Sequence, residues 1–142
     1  MLSKWDAVAT IAVKDLDAAS RFYQGTLGLN QVDRNEEAIT YKSGNSKLLV
    51  YASKFAGTNK ATAVTWIVDD VEAVVESLRG KDIRFEHYDL PDTTRQGDVH
   101  AAGDVKVAWF KDPDGNIIGL ANQSAMKREK APREHLRQPV RG

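Results

Sequence analysis

Two stretches of the chain share one pattern of apolar and polar positions, and each predicts a strand followed by a helix. Residues 8–13 and 64–68 are rich in β-branched side chains, as strands are. Asp15 and Asp70 follow at the position of a helix N-cap, where a carboxylate accepts a free backbone N–H. The spacing between the two copies is constant, which indicates an internal repeat.

Each predicted helix has one apolar stripe at helical spacing. Gly25 and Gly80 follow the stripes, and we expect each to adopt the left-handed conformation that ends a helix. The stripes consist of Leu16, Ala19, Phe22 and Tyr23 in the first helix and Val71, Val74, Val75 and Leu78 in the second.

Further strands are predicted after each helix, so the pattern βαβββ occurs twice. A turn at residues 112–116 joins the last two strands, because Pro113 presets φ and Gly115 supplies a left-handed position. We expect a linker at residues 55–60 and a long polar loop at residues 91–103. The predicted strands are residues 29–34, 38–42 and 47–52 in the first half and 83–88, 105–111 and 116–122 in the second.

Composition narrows the possible functions. The chain has 142 residues, no cysteine and a formal net charge of zero, so we expect no thiol chemistry and no nucleic-acid partner. Neither a signal peptide nor an apolar run that could span a membrane is evident, so we expect a cytoplasmic protein. We predict one domain at residues 1–124, with modules at about 5–54 and 61–123, and a basic, flexible tail at 125–142.

Two segments resemble the opening and closing elements of vicinal-oxygen-chelate proteins, the superfamily of glyoxalases, bleomycin resistance proteins and extradiol dioxygenases. The opening resemblance is carried by VKDLDAASRFY at residues 13–23 and LGL at residues 27–29. The closing one is carried by WFKDPDGNII at residues 109–118. The resemblance covers about residues 5–123 and leaves out the basic tail.

The resemblance implies an α+β fold in which two βαβββ modules form a half-open cup from mixed sheets, with the helices outside. Such proteins commonly form homodimers. Many members hold a divalent metal at the cup floor through His and Glu side chains, and the metal acts there as a Lewis acid. Members include lyases, isomerases, ring-cleaving dioxygenases, transferases and metal-free drug-sequestering proteins.

The chain departs from this family at the positions of the metal ligands. Three of them are occupied by Val8, Ala63 and Gly119, and the fourth falls within residues 48–51, LLVY. None of these is a usual metal-binding side chain. We therefore predict no metal at the family's site and no other cofactor.

The remaining cup positions suggest an organic ligand. Strand alternation turns Thr10 and Thr65 toward the cup, and Trp66 toward the helices. Trp109 and Tyr51 offer rings that can stack on a flat ligand, while Arg95 in the polar loop can meet an anion. Ordinary packing is the alternative for each of these residues.

Two short segments carry possible acid–base chemistry. An extended backbone places His87 and Asp89 on one face, and likewise Asp98 and His100. A carboxylate beside an imidazole fixes its tautomer and raises its basicity. The same residues are candidates for a relocated metal site, and a polar strand end with a solvated loop is the alternative.

The leading hypothesis is a metal-free protein that sequesters or senses a small, partly aromatic molecule. The alternative is a glyoxalase-like enzyme of the lyase, isomerase or dioxygenase type, with His87, Asp89 and His100 as base or relocated metal ligands. A third hypothesis is an interaction protein that docks a partner through its basic tail. Fold alone does not choose among these, because one fold hosts many functions.

Overall fold

The computed structural model of the chain describes residues 1–127, so nearly all of the predicted basic tail lies outside the described residues. Within them, strands form two mixed sheets with helices, which confirms the α+β class. The strands are β1 (Ala9–Val13), β2 (Asn30–Arg34), β3 (Ala38–Ser43), β4 (Ser46–Ala52), β5 (Thr62–Ile67), β6 (Phe85–Glu86), β7 (Thr94–Gln96), β8 (Val99–Ala102), β9 (Val105–Lys111) and β10 (Ile117–Ala121). The helices are a 3-10 turn (Leu2–Lys4), α1 (Leu16–Ser20) with a π-helix (Arg21–Thr26), α2 (Val71–Arg79) and α3 (Gln123–Lys127).

Residue contacts divide the chain into two compact units. Among the described residues, the first unit contains Met1–Val64 and Lys111–Ile118, and the second contains Thr65–Phe110 and residues 119–127. The two candidate histidine–aspartate segments, residues 87–89 and 98–100, both belong to the second unit. Among the described residues, no helix is long and apolar enough to cross a membrane.

The first unit is built on a sheet of order β1-β4-β3-β2, in which β1 runs parallel to β4 and the other pairs are antiparallel. Alternation along these strands buries one face, on which α1 lies against β3 and β4. The buried side chains include Ile11, Val13, Ile39, Tyr41, Leu48 and Val50 from the strands and Leu16, Ala19, Phe22 and Tyr23 from the predicted helical stripe.

The first helix begins as predicted but ends differently. The Asp15 carboxylate accepts hydrogen bonds from the backbone N–H groups of Asp17 and Ala18, which confirms the N-cap. The prediction for Gly25 was wrong, because the wide π-helical turn continues through this residue. Gly28, with φ of 78°, is the left-handed residue instead.

The closing turn of the first unit is anchored by a buried carboxylate. Within residues 1–127, the Asp112 carboxylate accepts four hydrogen bonds at 2.7–2.9 Å, two of them from the backbone N–H groups of Asp114 and Asn116. The other two come from the Tyr23 hydroxyl and the Asn116 amide, and the Asn116 amide also donates to the Ala12 carbonyl. Gly115 has φ of 91°, so the predicted turn is confirmed in detail.

The second sheet has the order β5-β10-β9-β8-β7, with β6 pairing to β9. Asp70 caps α2 by accepting a hydrogen bond from the Ala73 N–H, as predicted. The prediction for Gly80 was wrong, because its φ is −64° and Asp82, with φ of 66°, is the left-handed residue. The left-handed residue that follows α2 therefore lies two positions later in the chain than predicted.

The prediction of a long polar loop at residues 91–103 was wrong. This segment contains the antiparallel hairpin of β7 and β8, which turns at Gly97 with φ of 64°. Conversely, only Phe85 and Glu86 of the strand predicted at residues 83–88 pair with a neighbour, β9. This hairpin determines where the histidines and their partners lie.

Candidate functional site

The family's metal positions carry no donor atoms suited to a divalent ion. Val8 precedes β1, Ala63 is exposed on β5, and Gly119 is buried in β10. In β4, Tyr51 pairs with Ala12, and none of residues 48–51, LLVY, is a usual metal-binding side chain. These residues do not fit a metal, and among residues 1–127 no group of three or more His, Asp or Glu side chains could hold one.

Two predicted ligand contacts share the exposed face of the first sheet. Thr10 is exposed while Ile11 and Val13 are buried, so strand alternation in β1 is as predicted. Tyr51 lies on the same face through its pairing with Ala12, and 38% of it is exposed. Their role in ligand binding remains a prediction. Thr65 is likewise exposed, on β5, and Trp66 beside it is half-buried.

The histidines pair with other partners than the sequence suggested. His87 Nε2 lies 2.7 Å from Asp98 Oδ1, so the partner of His87 comes from the β7–β8 turn rather than from Asp89. Asp89 is exposed. The pairing of Asp98 with His100 was therefore also wrong. The cause is the hairpin, which brings Asp98 back against the end of β6.

The Asp98 carboxylate also faces a cation from α2. Arg79 Nη1 lies 3.5 Å from Asp98 Oδ2, while Arg79 Nη2 binds Glu76 at 2.7 Å. The Asp98 side chain is only 17% exposed, whereas that of His87 is 44% exposed. His87 is thus the accessible member of the pair.

Arg95 determines the tautomer of His87. Its Nη1 lies 3.1 Å from His87 Nδ1 and also donates to the Gly97 carbonyl at 3.1 Å. Because a guanidinium only donates, Nδ1 must accept. The ring proton of neutral His87 is therefore on Nε2, from which it is donated to Asp98.

His100 has a structural role. It is 2% exposed, and its Nε2 accepts a hydrogen bond from the Tyr88 backbone N–H at 3.1 Å. Its Nδ1 is buried and has no hydrogen-bond partner of ordinary geometry within the described residues, although the Val107 backbone is close enough to influence the ring. Burial lowers the pKa of His100, so the ring is neutral at pH 7 and is not placed to serve as an accessible base.

Aromatic side chains surround His100 and form a patch beside His87. We call this patch the aromatic face and define it by Tyr88, His100 and Trp109. The ring centroids of Tyr88 and Trp109 are 5.1 Å apart at 73°, and those of His100 and Trp109 are 4.9 Å apart at 72°. Tyr88 and Trp109 are half-buried. Arg95 borders the face, since it pairs with His100 across β7 and β8.

The structure therefore brings together His87, Arg95, His100 and Trp109 within the second unit. Sequence reasoning missed Tyr88 as an aromatic contact and Arg79 as a partner of Asp98. An aromatic residue between two candidate polar residues was the available signal for Tyr88. Nothing in the sequence indicates the contact of Arg79, because it depends on the packing of α2 against β8.

Two surface depressions are lined by none of the residues of this cluster. One of about 670 Å³ surrounds the N-terminus of α2 and is lined by Asp69, Asp104 and the ion pair of Lys106 with Glu72, among others. Another of about 350 Å³ lies near Val8. The first depression contains none of the predicted ligand contacts, and its ion pair already satisfies two of its charges.

The fold and the residues of the chain define a vicinal-oxygen-chelate protein without the usual ligand set. The sequence model of the Glyoxalase/Bleomycin resistance protein/Dioxygenase superfamily matches residues 6–120, and the chain belongs to this family. Comparison with curated protein sequences gives no match.

Solved structures share the fold at low sequence identity. The lactoylglutathione lyase from Agrobacterium tumefaciens is 18% identical with a TM-score of 0.65, and the match covers 85% of this chain and 95% of that one. The glyoxalase family protein from Enterococcus faecalis is 20% identical with a TM-score of 0.66, covering 85% and 99%. A fosfomycin resistance protein from Listeria monocytogenes is 12% identical with a TM-score of 0.66, covering 87% and 97%. At these identities the likeness shows the fold alone.

Proposed function

We propose that the chain is a small-molecule-binding protein of the glyoxalase and bleomycin resistance family, which sequesters or senses a small, partly aromatic ligand without a metal at the family's positions. The absence of donor side chains at Val8, Ala63 and Gly119 supports the metal-free part. The proposal includes a cytoplasmic location, which the absence of cysteine permits.

The observation that carries the proposal is the half-exposed pair of Tyr88 and Trp109 beside two accessible polar side chains, His87 and Arg95. Small-molecule sites combine aromatic walls with a few convergent polar groups. An aromatic contact in such a site is worth about 0.5–1.5 kcal/mol beyond the area that it buries. The aromatic face therefore favours a ligand with a flat ring and at least one polar substituent.

A fragment screen by ligand-observed NMR tests this proposal. We expect aromatic fragments to bind the wild-type chain and to lose most of their binding in Trp109→Leu and in Tyr88→Leu. Trp5→Leu is the matched control, because Trp5 is 72% exposed and belongs to the other unit. Circular dichroism establishes that each variant is folded. Equal binding to all four proteins would refute the aromatic face as the site.

The His87–Asp98 hydrogen bond favours a second candidate function, acid–base catalysis by a glyoxalase-like enzyme. At 2.7 Å the carboxylate orients the imidazole, and His87 Nδ1 becomes available as the base when Arg95 moves away from it. If the chain converts a compound that binds to the aromatic face, His87→Gln should abolish turnover at pH 8 while leaving binding intact. Unchanged turnover would exclude His87 as the base.

A further inference from the structure

His87 lies between a carboxylate on one side and a guanidinium on the other. Its Nε2 is 2.7 Å from Asp98 Oδ1, and its Nδ1 is 3.1 Å from Arg95 Nη1. Arg95 has donors only, so this arrangement requires neutral His87 with an unprotonated Nδ1. The position of Arg95 and the protonation state of His87 are therefore coupled.

Uptake of a proton by His87 places a second N–H on the ring, at Nδ1, directly opposite Arg95 Nη1. Two donors cannot share a hydrogen bond, so the contact between His87 and Arg95 must break. The bond from Nε2 to Asp98 remains and is strengthened, because both of its members are then charged. The result is an imidazolium held in place by Asp98, with an unpaired N–H that points toward a released guanidinium.

We propose that protonated His87 and Arg95 together bind the carboxylate of an aromatic acid, so that one proton is taken up when the ligand binds. One carboxylate oxygen accepts from His87 Nδ1, the other accepts from Arg95, and the ligand's ring contacts Tyr88 and Trp109. This inference rests on the proposed function, since it assigns a charge and a proton to the ligand site on the aromatic face.

The charges around His87 favour the binding of one anion. Asp98 is shared between His87 and Arg79, and Glu76 binds Arg79. The ring centroid of His100 is 6.3 Å from that of His87, and burial lowers the pKa of His100, which favours its uncharged form. Counted over His87, Arg95, Arg79, Asp98 and Glu76, protonation of His87 raises the net charge from zero to +1, which one carboxylate can neutralise. Glu86, the neighbour of His87 in the chain, carries a negative charge that stands outside this count.

Glu86 determines the orientation of such a ligand. It precedes His87 at the end of β6 and pairs in register with Trp109. Burial, with a further contribution from Glu86, raises the pKa of the Tyr88 phenol, so a negative charge lies near the aromatic face. The ligand's carboxylate is repelled from that side and is attracted toward Arg95, while its uncharged ring suits the face.

Calorimetric titration with benzoate tests the inference, and benzamide serves as the uncharged analogue. Measurements at pH 8 and pH 5.5 span the range in which a histidine changes charge, and buffers of different ionisation enthalpy report the number of protons taken up. We expect benzoate to bind the wild-type chain roughly tenfold more tightly at pH 5.5 than at pH 8, whereas benzamide binding stays constant.

Three variants separate the contribution of His87 to benzoate binding from that of Arg95. In His87→Gln the amide can still accept from Arg95 and donate to Asp98 but cannot take up a proton, so benzoate binding should lose its pH dependence. Arg95→Gln should weaken benzoate binding at both pH values. Arg84→Gln is the control: it removes an exposed arginine immediately before β6, and its benzoate binding should match that of the wild type.

The outcomes distinguish this inference from the proposed function. Benzoate binding that is independent of pH, or that keeps its pH dependence in His87→Gln, would overturn the proton-coupled site. If benzoate and benzamide bind equally and both depend on Trp109, the inference is wrong while the aromatic ligand site stands. If neither compound binds, the inference is overturned, and the wider fragment screen alone decides the proposed function.

Discussion

The buried hydrogen bond between Tyr23 and Asp112 provides the sharpest test of how the first unit is held together. Tyr23 is 0% exposed, and its hydroxyl donates to Asp112 Oδ2 at 2.7 Å. Tyr23→Phe removes one donor from the carboxylate but leaves those from Asp114 and Asn116 in place. Hydrogen bonds to charged groups contribute about 1.5–3 kcal/mol, and we expect a loss near the lower end, about 2 kcal/mol.

Thermal unfolding followed by circular dichroism measures this loss. For a chain of this length, about 2 kcal/mol corresponds to a fall in Tm of roughly 4–8 °C. Asp112→Asn should cost more, about 3 kcal/mol, because its amide nitrogen would face the Asn116 amide and leave a buried donor unpaired.

Tyr51→Phe is the matched control, since it removes the same hydroxyl from a side chain that is 38% exposed. Its unfolding free energy should stay within about 0.5 kcal/mol of the wild type. The reasoning is refuted if Tyr23→Phe lowers Tm no further than Tyr51→Phe does.

Three further outcomes follow from the structure. Burial and the adjacent Asp112 carboxylate raise the pKa of Tyr23 far above its ordinary value. The stability of the fold should therefore be intact at neutral pH and fall as the pH rises above about 10. In thermal melts between pH 8 and pH 11, Tyr23→Phe should flatten that fall. Asp70→Ala removes the cap of α2 and should cost about 1 kcal/mol in urea unfolding, whereas Asp70→Ser should cost little. Gly57→Ala places a Cβ against the Asp114 carbonyl and should prevent normal folding of the first unit, which NMR spectra would show. Gly44 has a similar positive φ but open space around it, so Gly44→Ala should lower the free energy of unfolding by only about 1 kcal/mol.

Those parts of the fold that depend on local signals could be predicted from the sequence. Both N-caps, the two apolar stripes and the closing turn follow from the chemistry of a few adjacent residues. The structure confirms them, except that Val74 of the second stripe is only half-buried. The ends of the helices could not be predicted in the same way. Gly25 is a good helix terminator by residue type, but the chain there continues into a π-helical turn whose apolar residues Phe22 and Tyr23 are buried. Burial of those rings outweighs the local preference of one glycine.

The hairpin of β7 and β8 escaped prediction because its strands are short and its exposed positions are polar. Thr94, Arg95 and Gln96 are all exposed, so β7 shows no apolar alternation. Only β8 carries buried side chains, Val99 and His100. Pairing across the hairpin, rather than hydrophobic patterning, stabilises this part of the sheet.

The same hairpin explains why the sequence identified the residues of the site but paired them wrongly. In an isolated extended strand, residues two apart share a face, so His87 was assigned to Asp89 and His100 to Asp98. The turn at Gly97 instead places Asp98 and Arg95 on opposite nitrogens of the His87 ring. A polar loop, as the sequence suggested, would fix neither contact and would leave the tautomer of His87 undetermined. The coupling between Arg95 and the protonation of His87 therefore depends on β7 being a strand, so a variant that unpairs β7 from β8 should abolish that coupling even though every charged residue is retained.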